Sequence, residues 1–101
     1  MPDRTGMMRA CSNGDIAIET EAGRYSLSPE EVRELLVFGR QTTLRQQGGI
    51  IDGEAIIYPT PSKTGIIIRF ASTAYLAPRC LFVLIAKGEL GSAPLAWIPR
   101  G

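Results

Sequence analysis

The sequence predicts an α+β domain: an antiparallel sheet or partly open β-barrel of about six strands, with one short helix packed on it. Three observations lead to this fold class. Apart from the pair Gly48-Gly49, the 11 glycines and 7 prolines stand singly between short apolar runs, which is typical of brief elements joined by turns. One strong helix-start signal is present, and few residues separate the strand-like segments, which favours antiparallel neighbours. The 101 residues are the length of one domain.

The N-terminal residues are expected to form a flexible tail. Residues 1–13 are polar, contain glycine and show no periodicity, so a single folded domain is predicted over 14–101. The stretch DIAIET then alternates between polar and apolar positions, as in a half-buried strand. A turn containing Gly23 leads into Arg24–Leu27, and residues 15–27 therefore predict a β-hairpin.

Residues 29–38 are predicted to form the helix. Ser28, Pro29 and Glu31 make a capping-box sequence, with serine at the N-cap, proline at the first helical position and glutamate at the third. Gly39 stands where a left-handed residue commonly ends a helix. The apolar side that would face the sheet consists of Val32, Leu35 and Leu36.

Four further segments are predicted to be strands. One of them, CLFVLIAK, is apolar on both faces, which is typical of a central strand or of a strand at an interface. No internal repeat and no low-complexity tract is apparent. Thr42–Gln46 is β-prone but polar, and the four predicted strands are Glu54–Tyr58, Gly65–Ala71, Cys80–Lys87 and Leu95–Ile98.

The loop YPTPSKTG, residues 58–65, raises the question of a phosphate-binding loop. Lys63 and Thr64 match the end of the pattern G-x-x-x-x-G-K-[ST], but Ile57 and Ser62 occupy its two glycine positions. Glycine is needed there because backbone amides must close around the phosphate. The strand-forming GIIIRFA follows instead of a helix. We interpret the loop as a hairpin connection, and a positioning contact with a polyanion is the remaining alternative.

Few residues could carry catalysis or hold a metal. The chain has no histidine, the commonest general base and metal ligand. Cys11 and Cys80 are too few for a thiolate metal site, and Cys80 is expected to be a buried, inert thiol. Asp52 and Glu54 could share one face, which leaves a small enzyme using paired carboxylates as the third hypothesis. The expectation is a protein that is not an enzyme and uses no cofactor or metal.

Charge is unevenly distributed along the chain, although the net charge is only +1. Residues 11–39 carry six acids and two bases, whereas residues 40–101 carry seven bases and three acids. The basic half would suit a nucleic-acid-binding module, but a near-neutral chain has no global field to attract a polyanion. Nucleic-acid binding is therefore the alternative hypothesis. The residues that would carry it are Arg40, Arg45, Lys63, Arg69 and Arg79.

Self-association is the favoured hypothesis, because two predicted strands, Ile66–Phe70 and Leu81–Ala86, are apolar on both faces. The predicted helix is only about 15 Å long and cannot cover the second face. Either the hairpin closes a barrel over that face, or a second copy covers it in a two-fold homodimer. The sequence thus predicts a self-associating binding or regulatory module. The residues expected at its interface are Phe70, Leu81, Val83, Ile85 and Trp97.

Neither a membrane span nor an export signal is expected. The longest apolar run, Cys80–Ala86, is far shorter than the roughly 20 residues that cross a bilayer. The N-terminal segment lacks the apolar core of a secretory leader. A cytoplasmic location with reduced thiols is the expectation.

Overall fold

Nine strands and two helices form the described part of the chain. The computed structural model describes residues 6–21, 23–46, 55–70 and 73–99. The radius of gyration is 12.5 Å, close to the value of about 13 Å for a compact domain of this length. The helices are α1 (Pro29–Leu36) and α2 (Arg79–Ala86). The strands are β1 (Gly6–Ala10), β2 (Ile16–Thr20), β3 (Gly23–Leu27), β4 (Thr42–Thr43), β5 (Arg45–Gln46), β6 (Ile56–Pro59), β7 (Gly65–Arg69), β8 (Ala74–Pro78) and β9 (Ser92–Ile98).

The strands pair in an antiparallel manner and form one sheet that nearly closes into a barrel. Their order across the sheet is β4-β6-β7-β8-β9-β1-β2-β3-β5. The two edge strands, β4 and β5, are consecutive in the chain, and only Leu44 lies between them. The segment 42–46 therefore forms both edges of the sheet, since β4 pairs with β6 and β5 pairs with β3. The predicted small β-rich domain with an antiparallel, barrel-like sheet is confirmed in outline, but with nine strands instead of six and two helices instead of one.

One hydrophobic core joins the sheet to both helices. Buried and more exposed residues alternate along β2, β8 and β9, so one side of the sheet faces the core. Aromatic rings pack within it: the ring centroids of Tyr25 and Phe70 lie 4.9 Å apart, and Tyr75 meets Phe70 edge-on at 5.9 Å. Burial raises the pKa of Tyr25 above its usual value. The helices contribute Val32 and Leu35 from α1, and Phe82 and Ile85 from α2.

The predicted helix and hairpin are both confirmed. Ser28 Oγ accepts a hydrogen bond of 3.2 Å from the backbone N–H of Glu31, and the Glu31 carboxylate accepts one of 2.7 Å from the Ser28 N–H. This is the reciprocal capping box that the sequence predicts. The helix ends at Leu36, two residues earlier than predicted, and Gly39 has the expected left-handed φ of 64°. β2 and β3 form the predicted hairpin.

The prediction of a strand at Cys80–Lys87 is wrong, because this segment forms α2. A continuous apolar run of this length does not distinguish a buried strand from a buried helix. The helical signals stand at its ends: Pro78 is at the N-cap position, and Gly88 has a left-handed φ of 77° just beyond the helix. Phe82 and Ile85, about one turn apart, are the residues that α2 buries.

The prediction of a flexible tail over residues 1–13 is wrong for the part that the structure describes. β1 lies inside the sheet, with β9 on one side and β2 on the other, and the Met8 side chain is fully buried. A five-residue strand with a single buried side chain gives no periodicity from which it could be predicted. β8 was also not predicted, since the alanines and proline of AYLAP are poor strand formers.

The chain is built from two copies of one β-β-β-α-β unit, although no repeat is apparent in the sequence. We call residues 6–46 repeat 1 and residues 56–98 repeat 2. The elements β1, β2, β3 and α1 correspond to β6, β7, β8 and α2. The last segment of each repeat pairs with the third strand of its own repeat and with the first strand of the other. In repeat 1, β5 pairs with β3 and β4 pairs with β6, and in repeat 2, β9 pairs with both β8 and β1. The two repeats are therefore interlocked by their last strands.

Equivalent positions in the two repeats follow from the strand pairing and lie 49 to 51 residues apart. The turns between the first two strands also match. In repeat 1 the Gly14 N–H donates to the Cys11 carbonyl at 3.1 Å, and in repeat 2 the Lys63 N–H donates to the Thr60 carbonyl at 2.9 Å. The similarity of side chains is concentrated at core positions. Examples are Ile16 and Ile66, Ile18 and Ile68, Tyr25 and Tyr75, Leu35 and Ile85, and Leu44 and Leu95.

Candidate functional site

The outer side of the sheet in repeat 2 presents two rows of mostly apolar side chains. Each row crosses β6, β7, β8 and β9 through directly opposite residues. Six of the eight residues are half-buried and two are exposed. We call these eight residues the apolar face. One row is Tyr58, Ile67, Leu76 and Ala96, and the other is Ile56, Arg69, Ala74 and Ile98.

The equivalent side of repeat 1 is more polar, since five of the seven equivalent residues are charged or polar and the other two are Met7 and Ala17. Arg9 Nη2 lies 2.8 Å from Glu19 Oε1, and Arg24 Nε lies 3.8 Å from Glu19 Oε2. The same β-β-β-α-β unit is thus formed with charged residues at positions where repeat 2 has apolar ones. Because repeat 1 forms the same unit with fewer apolar side chains at these positions, their concentration in repeat 2 makes the apolar face a candidate binding surface. The repeat 1 equivalents are Arg9, Ala17, Ser26 and Arg45 in the first row, and Met7, Glu19 and Arg24 in the second.

Arg69 is the charged member of the apolar face. Its guanidinium carbon lies 5.9 Å from the centroid of the Tyr58 ring, within the range of a cation–π contact. Among the described residues, no acid forms an ion pair with Arg69. The face therefore combines one cation, held against an aromatic ring, with seven uncharged side chains.

The residues predicted for the interface do not lie together on this face. Phe70 and Ile85 are only 6% and 2% exposed, and both are part of the core of a single chain. Their assignment to an interface is corrected, because Phe70, which follows β7, and Ile85 on α2 are too deeply buried to contact a second molecule. Leu81 and Val83 are half-buried on α2. Trp97 is 41% exposed, and its indole N–H donates a hydrogen bond within the chain.

The five basic residues of the nucleic-acid hypothesis lie on separate elements. Arg40 and Arg45 form ion pairs with carboxylates at distances of 3.1 to 3.6 Å. Arg79 donates a hydrogen bond of 3.2 Å to the last backbone carbonyl of α1. Arg69 belongs to the apolar face, and Lys63 lies in the loop between β6 and β7. Lys63 and Arg79 both line one groove.

That groove has a volume of about 330 Å³ and lies between the carboxyl end of α1 and the β6–β7 loop. We call it the α1 groove. Its lining combines apolar and polar surface; the end of α1 places Val37 and Phe38 at its wall, and these side chains are 65% and 53% exposed. The remaining lining residues are Leu35, Leu36, Gly39, Pro59, Lys63 and Arg79.

The remaining hypotheses concern the paired carboxylates, metal binding and the two cysteines. Asp52 and Glu54 lie outside the described residues. Within the described ranges, no group of three or more acids and cysteines could hold a metal ion, and no helix is long and apolar enough to cross a membrane. The expectation of a buried Cys80 is wrong, because this residue is exposed on the first turn of α2, while Cys11 is half-buried.

Comparisons with protein-family models, with curated proteins and with solved structures give no match. The two surfaces described above are therefore the basis on which a function can be argued.

The apolar face was missed because its residues belong to strands predicted separately. Because successive side chains of a strand point to opposite faces, the sequence does predict that Tyr58 points away from the side of the buried Ile57. It likewise predicts that Ile67 points away from the side of the buried Ile66 and Ile68. What the alternation could not show is that β6, β7, β8 and β9 are neighbours. Strand order, which brings the two rows together, depends on pairing between residues far apart in the chain.

Proposed function

We propose that the protein is a non-enzymatic binding module that self-associates, as a two-fold homodimer, through the apolar face. The observation that supports this is the difference between the repeats at equivalent outward positions. Where repeat 1 has the ion pair of Arg9 and Glu19, repeat 2 has Tyr58 and Arg69. Where repeat 1 has Ser26, repeat 2 has Leu76.

A second copy is the occupant that fits this surface best. Two sheets pack face to face at a separation of about 10 Å when their facing side chains are apolar. A two-fold interface needs a self-complementary patch, and seven uncharged residues in two rows satisfy this requirement. The Arg69 side chain lies over Tyr58, so the guanidinium can remain at the rim while the aliphatic rows meet. The surrounding polar residues would form the usual rim of such an interface.

Nucleic-acid binding is less well supported by the same surface. A single-strand platform stacks successive bases on several aromatic side chains within a basic groove. The apolar face has Tyr58 as its one aromatic residue and Arg69 as its one cation, surrounded by aliphatic side chains. Aliphatic rows provide contact area for protein but neither stacking nor phosphate contacts.

The solution mass, measured by light scattering at low and high salt over a range of concentrations, tests the proposal. We expect a dimer whose dissociation constant changes little with salt, because apolar contacts dominate. The informative variant combines Tyr58→Arg, Arg69→Glu and Leu76→Ser. It places at the apolar face the residues that repeat 1 carries at equivalent positions, including its ion pair, so the fold should tolerate them. We expect this variant to be monomeric.

The matched control is Leu84→Ser, which removes an exposed apolar side chain of α2 outside the face. This variant should dimerise like the unmodified protein. A monomer at high micromolar concentration, or a triple variant that still dimerises, would contradict the proposal. Retardation of an oligonucleotide that weakens steeply with added salt would instead favour the nucleic-acid function.

A further inference from the structure

We propose that the α1 groove binds a small organic anion, in which a carboxylate or phosphate group is carried on an apolar body. This site is separate from the apolar face and does not depend on self-association. Its volume of about 330 Å³ lies at the lower end of the range of small-molecule sites, and its lining combines an apolar wall with two cationic side chains.

Two cations supply the anion-binding side of the groove. Lys63 is exposed, and among the described residues no acid forms an ion pair with either Lys63 or Arg79. Arg79 uses one Nη to bind the Leu36 carbonyl and retains further N–H donors. Two like charges that face one groove repel each other, and a bound anion would relieve this repulsion.

Both cations occupy positions where the fold favours another residue, as the comparison with repeat 1 shows. Lys63 has a φ of 62°, and its equivalent in the matching turn is Gly14, with a φ of 92°. Glycine adopts this conformation readily, whereas a side chain adopts it at a cost. Arg79 is the first residue of α2, where repeat 1 has Pro29, the residue that suits a first helical position.

Gly14 and Pro29, the equivalents of Lys63 and Arg79 in repeat 1, are also adjacent, so the fold itself brings the two positions together. A Cβ placed on Gly14 would lie 3.3 Å from Pro29 Cγ, so the turn and the helix start meet in repeat 1 as well. Repeat 2 keeps this adjacency but has lysine and arginine in place of glycine and proline. Glycine and proline suit the local backbone at these two adjacent positions. Their replacement by two cations is expected if the positions bind an anion.

The apolar wall defines the rest of the ligand. Val37 and Phe38 extend α1 before the left-handed Gly39, whereas in repeat 2 only Lys87 stands between α2 and the left-handed Gly88. The aromatic residue of the wall thus has no counterpart in the other repeat. The guanidinium carbon of Arg40 lies 5.1 Å from the Phe38 ring centroid, which helps to hold the ring in place. An apolar body packed on this wall would direct its anionic end to Lys63 and Arg79.

Titrations followed by amide NMR shifts of the full chain test this site. The probes are benzoate and phenyl phosphate, with benzyl alcohol as the neutral aromatic compound and inorganic phosphate as the anion without an apolar body. We expect saturable shifts centred on Phe38, Gly39 and Lys63 with one or both aromatic anions, and much weaker effects with the other two compounds. The aromatic anion that binds more tightly distinguishes a carboxylate site from a phosphate site.

The decisive variant is Lys63→Gly, which copies Gly14 and should leave the turn at least as stable. Loss of one charge-assisted contact should weaken binding by about tenfold or more, whereas Lys87→Gln, a cation outside the groove, should leave it unchanged. A cation with a purely structural role would not produce a stable variant with lost affinity. Shifts spread equally over Arg9, Arg24 and Lys87, or unchanged affinity in Lys63→Gly, would overturn the proposal.

Discussion

The indole nitrogen of Trp97 donates a hydrogen bond of 2.9 Å to Thr73 Oγ1. Thr73 directly precedes β8 and is 7% exposed, and Trp97 lies opposite Tyr75 where β9 pairs with β8. The bond therefore fixes the end of the last strand to the start of the strand beside it. Trp97 thereby holds β9 against β8 at this end of the sheet.

This bond predicts a measurable coupling between Trp97 and Thr73. Trp97→Phe removes the donor and Thr73→Val removes the acceptor. Because the Thr73 hydroxyl is buried, we expect a coupling free energy of about 1 kcal/mol in a double-mutant cycle of urea unfolding. A coupling near zero would mean that the bond contributes nothing in solution.

The two left-handed turn positions should respond differently to alanine. Gly14→Ala introduces a Cβ at a φ of 92° and 3.3 Å from Pro29, so the free energy of unfolding should fall by about 1–2 kcal/mol. Lys63→Ala should change it by less than about 0.5 kcal/mol, because a Cβ is already present in that turn. Equal losses in the two variants would contradict the equivalence of the turns.

The capping box of α1 should contribute to stability through the serine oxygen. Ser28→Ala removes the acceptor of the Glu31 N–H, and we expect a loss of about 1 kcal/mol in the free energy of unfolding. Ser28→Asp is the matched control, since aspartate also accepts this bond and favours the helix N-terminus. If both variants lose the same stability, the cap is not the cause.

Stability should decline at high pH because of Tyr25. Its pKa is raised by burial, whereas in the unfolded chain it has the ordinary value of about 10. Above that pH the unfolded chain has lost a proton that the folded chain retains, so rising pH favours unfolding. Tyr25→Phe should reduce the slope of the unfolding free energy between about pH 9 and 11, measured by urea titration. Identical slopes for the two proteins would refute this cause.

The parts of the fold that could be predicted from sequence are those with local signals. The capping box at Ser28 and Glu31, the alternation around Ile16 and Ile18, and Gly39 each depend on residues within one turn or strand. The failures have a different origin. The run from Cys80 to Lys87 fits a strand or a helix equally well, and its state was decided by packing of Phe82 and Ile85 against the sheet.

The candidate site was even less accessible to sequence reasoning. Seeing the apolar face requires knowing that Tyr58, Ile67 and Leu76 are cross-strand neighbours, which is a property of tertiary pairing. The repeat is equally hidden, because the two units share core residues at intervals of 49 to 51 positions but differ in the amino acids of their turns and surfaces. The sequence places Lys63 in a loop, but its left-handed backbone and its proximity to Arg79 depend on the tertiary fold.

The interlocking of the repeats bears on how the protein is made in the cell. β9 lies between β8 and β1, so β1 keeps an open edge until residues 92–98 have left the ribosome. The first unit therefore has no opportunity to complete its sheet while the second is still being translated. We expect folding to begin only after residues 92–98 have left the ribosome and to be slow, as is typical of sheets formed by long-range pairing. A copy that terminates before Ser92 would lack β9, so β1 and β8 would keep open edges that can pair with other chains.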